Sequence, residues 1–346
     1  MIPSPRHNSL LLGHEDIEQS LRAAFDSNHL PHALIFAGEA GIGKATLAFR
    51  LAKFLFAPTI DRNASLLGIK ENGIAARRVA AASHGDLITV ERREDDTTGK
   101  LHKELIVEDI RKIAPFLRMT ASEDGWRIAI IDDASTMNRA GQNALLKILE
   151  EPPPRSLLIL IAERPGLLLP TIHSRCRMIH LAGLSQATLI DLLEKYSPDL
   201  PKADRIAAAR LANGSIGKAL QLIEEEGIDL YRTVLRLLAT LPNCEWGEIH
   251  KFGEQLAAPA AESSYRLFSE FLPAWLLRLV KAGVGLSQEP VLSEETSLWE
   301  KLGRSGSLEQ WINACEKITS RLAATDHANL DRKLAVWSVF ETLAQV

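Results

Sequence analysis

HALIFAGEAGIGKATLAFRLAKFLF, residues 32 to 56, is the stretch on which the fold turns. Ala33 to Ala37 are apolar without alternation, the pattern of a strand buried on both faces of a sheet. A glycine-rich turn follows, and from Lys44 the apolar residues recur at helical spacing. Strand, glycine loop and helix in that order make a phosphate loop. Gly38, Gly41 and Gly43 let the backbone turn tightly and aim amides inward, and Lys44 is placed to reach a β- or γ-phosphate. The helix N-terminus favours the same negative charge.

The loop departs from its pattern at one position. A Ser or Thr should follow the lysine to hold magnesium, and here that residue is Ala45. Thr46 comes next, but one step along a helix turns a side chain away by about 100°. Two readings stay open. Gly38, Gly41, Gly43, Lys44 and Thr46, with Asp132 from a later strand, form a degenerate nucleotide site, or they are a relic that only shapes a turn.

Outward from the loop, strands and helices alternate. Helices are predicted over residues 14–30, ended by Pro31, and over Ala75 to Ala82, Val107 to Leu117 and Ala140 to Glu150, the last stopped by prolines 152–154. Strands are predicted at Leu87 to Val90, Trp126 to Ile131, Leu157 to Ala162 and Met178 to Leu181. This is the signature of an α/β domain with a mainly parallel sheet covered by helices on both faces. The charged segment 91–103 is expected to be an exposed loop. From Ser185 the pattern is almost wholly helical, with a break at Gly214 to Gly217 and a looser one at residues 240–249. The expected division is a nucleotide-binding-like core over 1–182, a helical lid over 183–240 and an all-helical domain over 241–346. Leu241, Trp246, Phe252, Leu267, Phe271, Trp275, Leu279, Trp299, Trp311 and Trp337 are its expected packing residues.

Two further motifs carry chemistry. IAIIDDA, residues 128–134, ends an apolar strand in Asp132, where a magnesium-holding acid belongs. Asp133 stands where a hydrolytic site has a longer glutamate to orient water, and a misplacement of that kind costs about 100-fold. The competing reading is a pair of acids capping the next helix. TIHSRCR, residues 171–177, puts Arg175 just past a proline turn. Its guanidinium is planar and always charged, suited to a γ-phosphate, and from spacing alone an ordinary surface arginine is the better reading.

Composition narrows the class. The 346 residues carry a net charge of −4 with three scattered cysteines and no CxxC. That speaks against a protein that wraps DNA over its whole surface, and against a disulfide framework or a local zinc knuckle. The free thiols fit a cytoplasmic protein, and the first residues show neither a signal peptide nor a membrane segment.

Together these motifs resemble the AAA+ clamp-loader family, strongly over residues 10–52 and 126–220 and only in architecture over the last hundred. NRAGQNALLKILEEPPPRSLLILIAE, Asn138 to Glu163, and the Ser174-Arg175-Cys176 motif are the most distinctive matches. The resemblance implies a AAA+ phosphate-loop core, a lid and an oligomerisation collar. It implies a heteropentamer with the motor subunits (tau/gamma) and a delta subunit, acting on a sliding clamp and primed DNA. Arg175 inherits the role of an arginine finger completing a neighbour's ATP site. Gly217, where active relatives carry an arginine beside Lys218, agrees with the defects at Ala45 and Asp133. The expected chain is a polymerase-holoenzyme subunit that requires no cofactor, binds ATP or ADP weakly and has no ATPase activity of its own. It lacks the four-cysteine zinc module of many relatives, and His84 and Asp86 are expected to be loop residues rather than ligands. A motor ATPase of the same assembly and a stand-alone DNA-binding protein are the alternatives.

Overall fold

The computed structural model describes residues 4–63, 66–94, 101–121, 125–328 and 330–346. Two compact units divide the chain: Met1–Pro198 with Asn213–Lys218, and Asp199–Ala212 with Ala219–Val346.

The first unit is built on five strands: β1 (Ala33–Ala37), β2 (Leu87–Val90), β3 (Arg127–Ile131), β4 (Ser156–Ala162) and β5 (Arg177–His180). They pair in the order β2-β3-β4-β1-β5, every pair parallel. β1, β3 and β4 are buried along their whole length, as their unbroken apolar runs predict. Alternate residues feed two cores. Leu34, Phe36, Ile128, Ile130, Leu157, Ile159 and Ile161 share one cluster with Leu47, Leu51 and Phe54 of helix α2 (Lys44–Phe56). That face also carries α1 (Glu15–Asp26) and α3 (Ile74–Ala80). Ile35, Ala129, Ile131, Leu158 and Leu160 face the other way, toward α4 (Val107–Arg111), α5 (Ile113–Arg118) and α6 (Arg139–Glu150). α7 (Pro170–His173) and α8 (Gln186–Tyr196) complete the unit.

Residues 107–117 do not form the single helix expected. Pro115 has no amide to give the Arg111 carbonyl and its ring crowds that group, so the helix breaks at Lys112 into α4 and α5. Within the segment 91–103, residues 95–100 lie outside the described residues. Among the rest, Arg92 pairs with Asp133 at 3.0 Å and Arg93 with Asp109 at 2.6 Å, so these arginines are anchored rather than simply solvated.

After residue 198 every regular element is a helix: α9 (Lys202–Leu211), α10 (Ile216–Glu224), α11 (Gly227–Ala239), α12 (Trp246–Ala257), α13 (Glu262–Gly283), α14 (Glu295–Gly303), α15 (Leu308–Ala328) and α16 (Arg332–Ala344), with a 3-10 turn at Pro259–Ala261. Leu241, Phe252, Leu267, Phe271, Trp275, Leu279, Trp299 and Trp311 are buried as expected. Trp246 and Trp337 are not: they stand 36% and 38% exposed and stack on each other at 4.7 Å between ring centres. No helix among the described residues is long and apolar enough to cross a membrane.

A polar cluster sits inside the second unit. Tyr231 donates its hydroxyl to the fully buried Glu295, and Arg278 donates to the Tyr231 oxygen at 2.7 Å. The other Glu295 oxygen accepts the Val291 amide at 3.1 Å, which ties the chain entering α14 to α11 and α13. Burial pushes the Tyr231 hydroxyl pKa up. Glu295→Ala should therefore leave the buried Tyr231 hydroxyl without its acceptor and Arg278 without its ion-pair partner, and cost about 3–5 kcal/mol. Denaturant unfolding measures this, and a loss below about 1 kcal/mol would contradict the role given to the cluster.

Candidate functional site

β1 delivers the chain into the phosphate loop at the C-terminal edge of the sheet, and α2 carries it away. Gly41 and Gly43 take positive φ values of 71° and 106°, the left-handed turn that only glycine adopts without strain. Five consecutive loop carbonyls find donors within the protein. Lys44 Nζ donates to the Gly38 and Glu39 oxygens at 2.8 and 2.5 Å. Ser215 Oγ donates to Ala40 O at 2.8 Å, and the Gly217 amide to Gly41 O at 2.9 Å. The buried His14 donates from Nε2 to Ile42 O at 2.8 Å. The amides of residues 39–43 have no protein acceptor among the described residues. Carbonyls held outward and amides left open make an anion cradle.

Lys44 is buried, and burial pushes its pKa down, against the opposing pull of Glu163, Asp132, Asp133 and Glu39. Asp132, at the end of β3, is pushed up, first by burial and then by the neighbouring Glu91 charge; its Oδ1 accepts the Asp133 amide at 2.9 Å. Asp133 is left-handed at φ 57°, and its carboxylate pairs with Arg92 instead of capping the 3-10 turn Ala134–Thr136 that follows. Lys44 and Asp132 are thus brought into one electrostatic neighbourhood. A magnesium–nucleotide does not fit the rest: Ala45 offers no oxygen, and Thr46 is only 7% exposed within α2. No hydrolytic step follows from these residues.

Gly217 explains itself by contact. A Cβ built on it would lie 2.8 Å from Gly41 Cα, and one built on Gly41 would lie 2.9 Å from Gly217 Cα. The two backbones touch, so the position where an arginine was looked for has no room for any side chain. Ser215 receives the Lys218 amide at 3.1 Å and locks the turn that brings Gly217 in.

Arg175 lies elsewhere. All five strands are parallel, and Arg175 immediately precedes β5, whose first residue Arg177 pairs with Leu34 near the start of β1. It therefore sits at the N-terminal edge of the sheet, opposite its own phosphate loop. There Nη2 donates to Glu150 Oε1 at 2.8 Å, and Nη1 to Thr171 O at 3.0 Å and Ser174 Oγ at 3.3 Å. Cys176, its neighbour, is half-buried, and burial pushes its thiol up to about 12, which leaves it an unreactive thiol.

His14, Ser215, Glu163 and Glu150 escape a reading of local motifs, because each meets its partner across a long stretch of chain. Among the described residues no His, Cys, Asp and Glu side chains gather as a metal set. His84 stacks on Phe56 at 3.7 Å, and Asp86 pairs with Arg127 at 3.1 Å.

Two outcomes follow. Gly217→Val should push the 213–218 segment off the loop and weaken the unit, while Gly247→Val, with open space around it, should not; thermal melts of the two variants decide. Asp132→Asn should stabilise the protein at neutral pH, because the folded state raises the Asp132 pKa and so disfavours its ionised form. That advantage should shrink as pH falls through the folded-state pKa and vanish below the unfolded one. Unfolding curves at several pH values test this, and a neutral-pH loss would refute it.

Residues 13–185, half of the 346-residue chain, match the family described as "DNA polymerase III, delta subunit". DNA polymerase III subunit delta' of Pseudomonas aeruginosa is 28% identical over 88% of this chain and 88% of that protein. The Escherichia coli subunit delta' is 27% identical over 66% of this chain and 65% of its own length. The Escherichia coli subunit tau is 29% identical over 62% of this chain and 32% of that longer protein. A parallel sheet with a phosphate loop, paired acids at the end of β3, an edge arginine and these similarities lead to one conclusion: the chain belongs to the bacterial DNA polymerase III delta-prime clamp-loader family of AAA+ proteins.

Proposed function

We propose that the chain is the delta-prime wall subunit of a DNA polymerase III clamp loader. It scaffolds the loading of a sliding clamp onto primed DNA and lends Arg175 to the ATP site of a neighbouring motor subunit. The observation that carries this reading is the place of Arg175: partly exposed on the sheet edge opposite its own phosphate loop, it is out of reach of that loop and open to a nucleotide held by another molecule. Ala45 supports the complementary half, a loop that keeps its shape without hydrolysing anything. In this reading residues 1–182 are the AAA+ core, 183–240 the lid and 241–346 the collar that joins a heteropentamer with tau/gamma and delta. The chain works in the cytoplasm, with weak ATP or ADP binding at most. Arg175 neutralises charge that develops on the neighbour's γ-phosphate, where a planar, permanently charged guanidinium offers two parallel donors.

The similarity to tau keeps a second reading in view, a motor ATPase of the same assembly. ATP hydrolysis separates the two. The purified chain should be inactive, and a reconstituted complex should need it for full DNA-stimulated activity. An arginine finger is worth on the order of 10³-fold or more at the site it serves, so Arg175→Ala should silence that site and lower the rate of the complex while assembly persists. Arg175→Lys should not restore it. Robust hydrolysis by the chain alone, lost on changing Lys44, would establish the motor reading instead.

A further inference from the structure

The contact that Arg175 makes in the free chain is itself informative. Glu150 is the last residue of α6, which stops at the prolines that follow, so its carboxylate stands at the negative end of a helix. Glu151, also acidic and exposed, is next to it. A carboxylate there is unfavourably placed on its own, and a guanidinium beside it is doubly favoured. The ion pair is open to water on both sides, with the Arg175 and Glu150 side chains 33% and 52% exposed. Thr171 O and Ser174 Oγ hold the Nη1 end, so the guanidinium is oriented by three partners and still presents unused N–H donors outward.

We propose that Glu150 is a positioning residue for Arg175. It parks the guanidinium on the sheet edge, and it is the anion that an incoming phosphate must replace. This rests on the reading of Arg175 as a donor to a neighbour's site. Two properties of the pair make exchange feasible. An exposed ion pair shifts an equilibrium by no more than about fivefold, so it is readily given up. A phosphate carries more charge than a carboxylate and accepts both donors of the guanidinium edge, so it wins once the subunits close. Thr171 O and Ser174 Oγ can stay bound through the exchange and keep the arginine aimed.

The pair also taxes the donor role, because the Glu150 charge competes for the guanidinium and repels the phosphate. Glu150→Gln keeps an acceptor of the same shape and removes the charge. In the reconstituted complex it should lower the ATP concentration for half-maximal hydrolysis, by up to about fivefold, with the maximal rate kept or raised. Glu150→Ala removes the orienting acceptor as well and should gain less. In an Arg175→Ala background, Glu150→Gln should change nothing. In the isolated chain, the ¹⁵N-Nε resonance of Arg175 should move and sharpen on Glu150→Gln as the side chain is released.

The outcomes separate. If Arg175→Ala leaves the complex at full rate, the donor reading falls and this proposal with it. If Arg175→Ala slows the complex but Glu150→Gln changes neither the ATP dependence nor the arginine resonance, only the parking role is wrong. An equal effect of Glu150→Gln with and without Arg175 would also overturn it, since it would show that Glu150 acts through the fold and not through the arginine.

Discussion

Parallel pairing of β1 with β4 and β5 is the constraint on which the rest depends. With every strand running the same way, each loop that follows a strand emerges on one edge of the sheet, and each segment that leads into a strand lies on the other. The phosphate loop after β1, the acids after β3 and Glu163 after β4 therefore gather on one edge. The end of α6 and the turn into β5 lie on the opposite edge, carrying Glu150 and Arg175. The phosphate loop and Arg175 thus lie at opposite edges of one sheet and do not meet within the unit.

The loop shows how a glycine-rich turn is held by donors from its own chain. Bending a chain through Gly38, Gly41 and Gly43 turns a run of carbonyls away from the strand ladder, and each would be costly to leave unpaired. Here Lys44, Ser215, the Gly217 amide and His14 satisfy them one after another. Lys44 is spent on loop carbonyls, and Gly217 gives up any side chain so that its amide can approach Gly41. The shape of the loop is thus maintained by groups of the protein itself.

In the second unit stability and surface chemistry are separated in space. Tyr231 and Glu295 are sealed within the helices and Arg278 reaches them from a partly exposed position, so that mutual hydrogen bonds offset the cost of burial. Trp246 and Trp337 are partly exposed and lie against each other where α12 meets α16.

Much of this was determined by the sequence alone. Unbroken apolar runs specified the buried strands, their alternation with helices specified a parallel sheet, and the glycines before Lys44 placed the loop between β1 and α2. Ala45 and Asp133 are departures from the hydrolytic pattern that the sequence alone displays. These signals are legible because they are local: periodicity and backbone conformation are set by near neighbours in the chain. The break at Lys112 is local too, an effect of Pro115 masked by a strong helical pattern. Tertiary structure decided the rest. The meeting of Gly41 with Gly217, of Glu150 with Arg175 and of His14 with Ile42 joins residues about 25 to 175 positions apart. No spacing rule encodes such pairs, because they are fixed by the order in which strands enter the sheet and by which side chains the packed helices leave free at its edges.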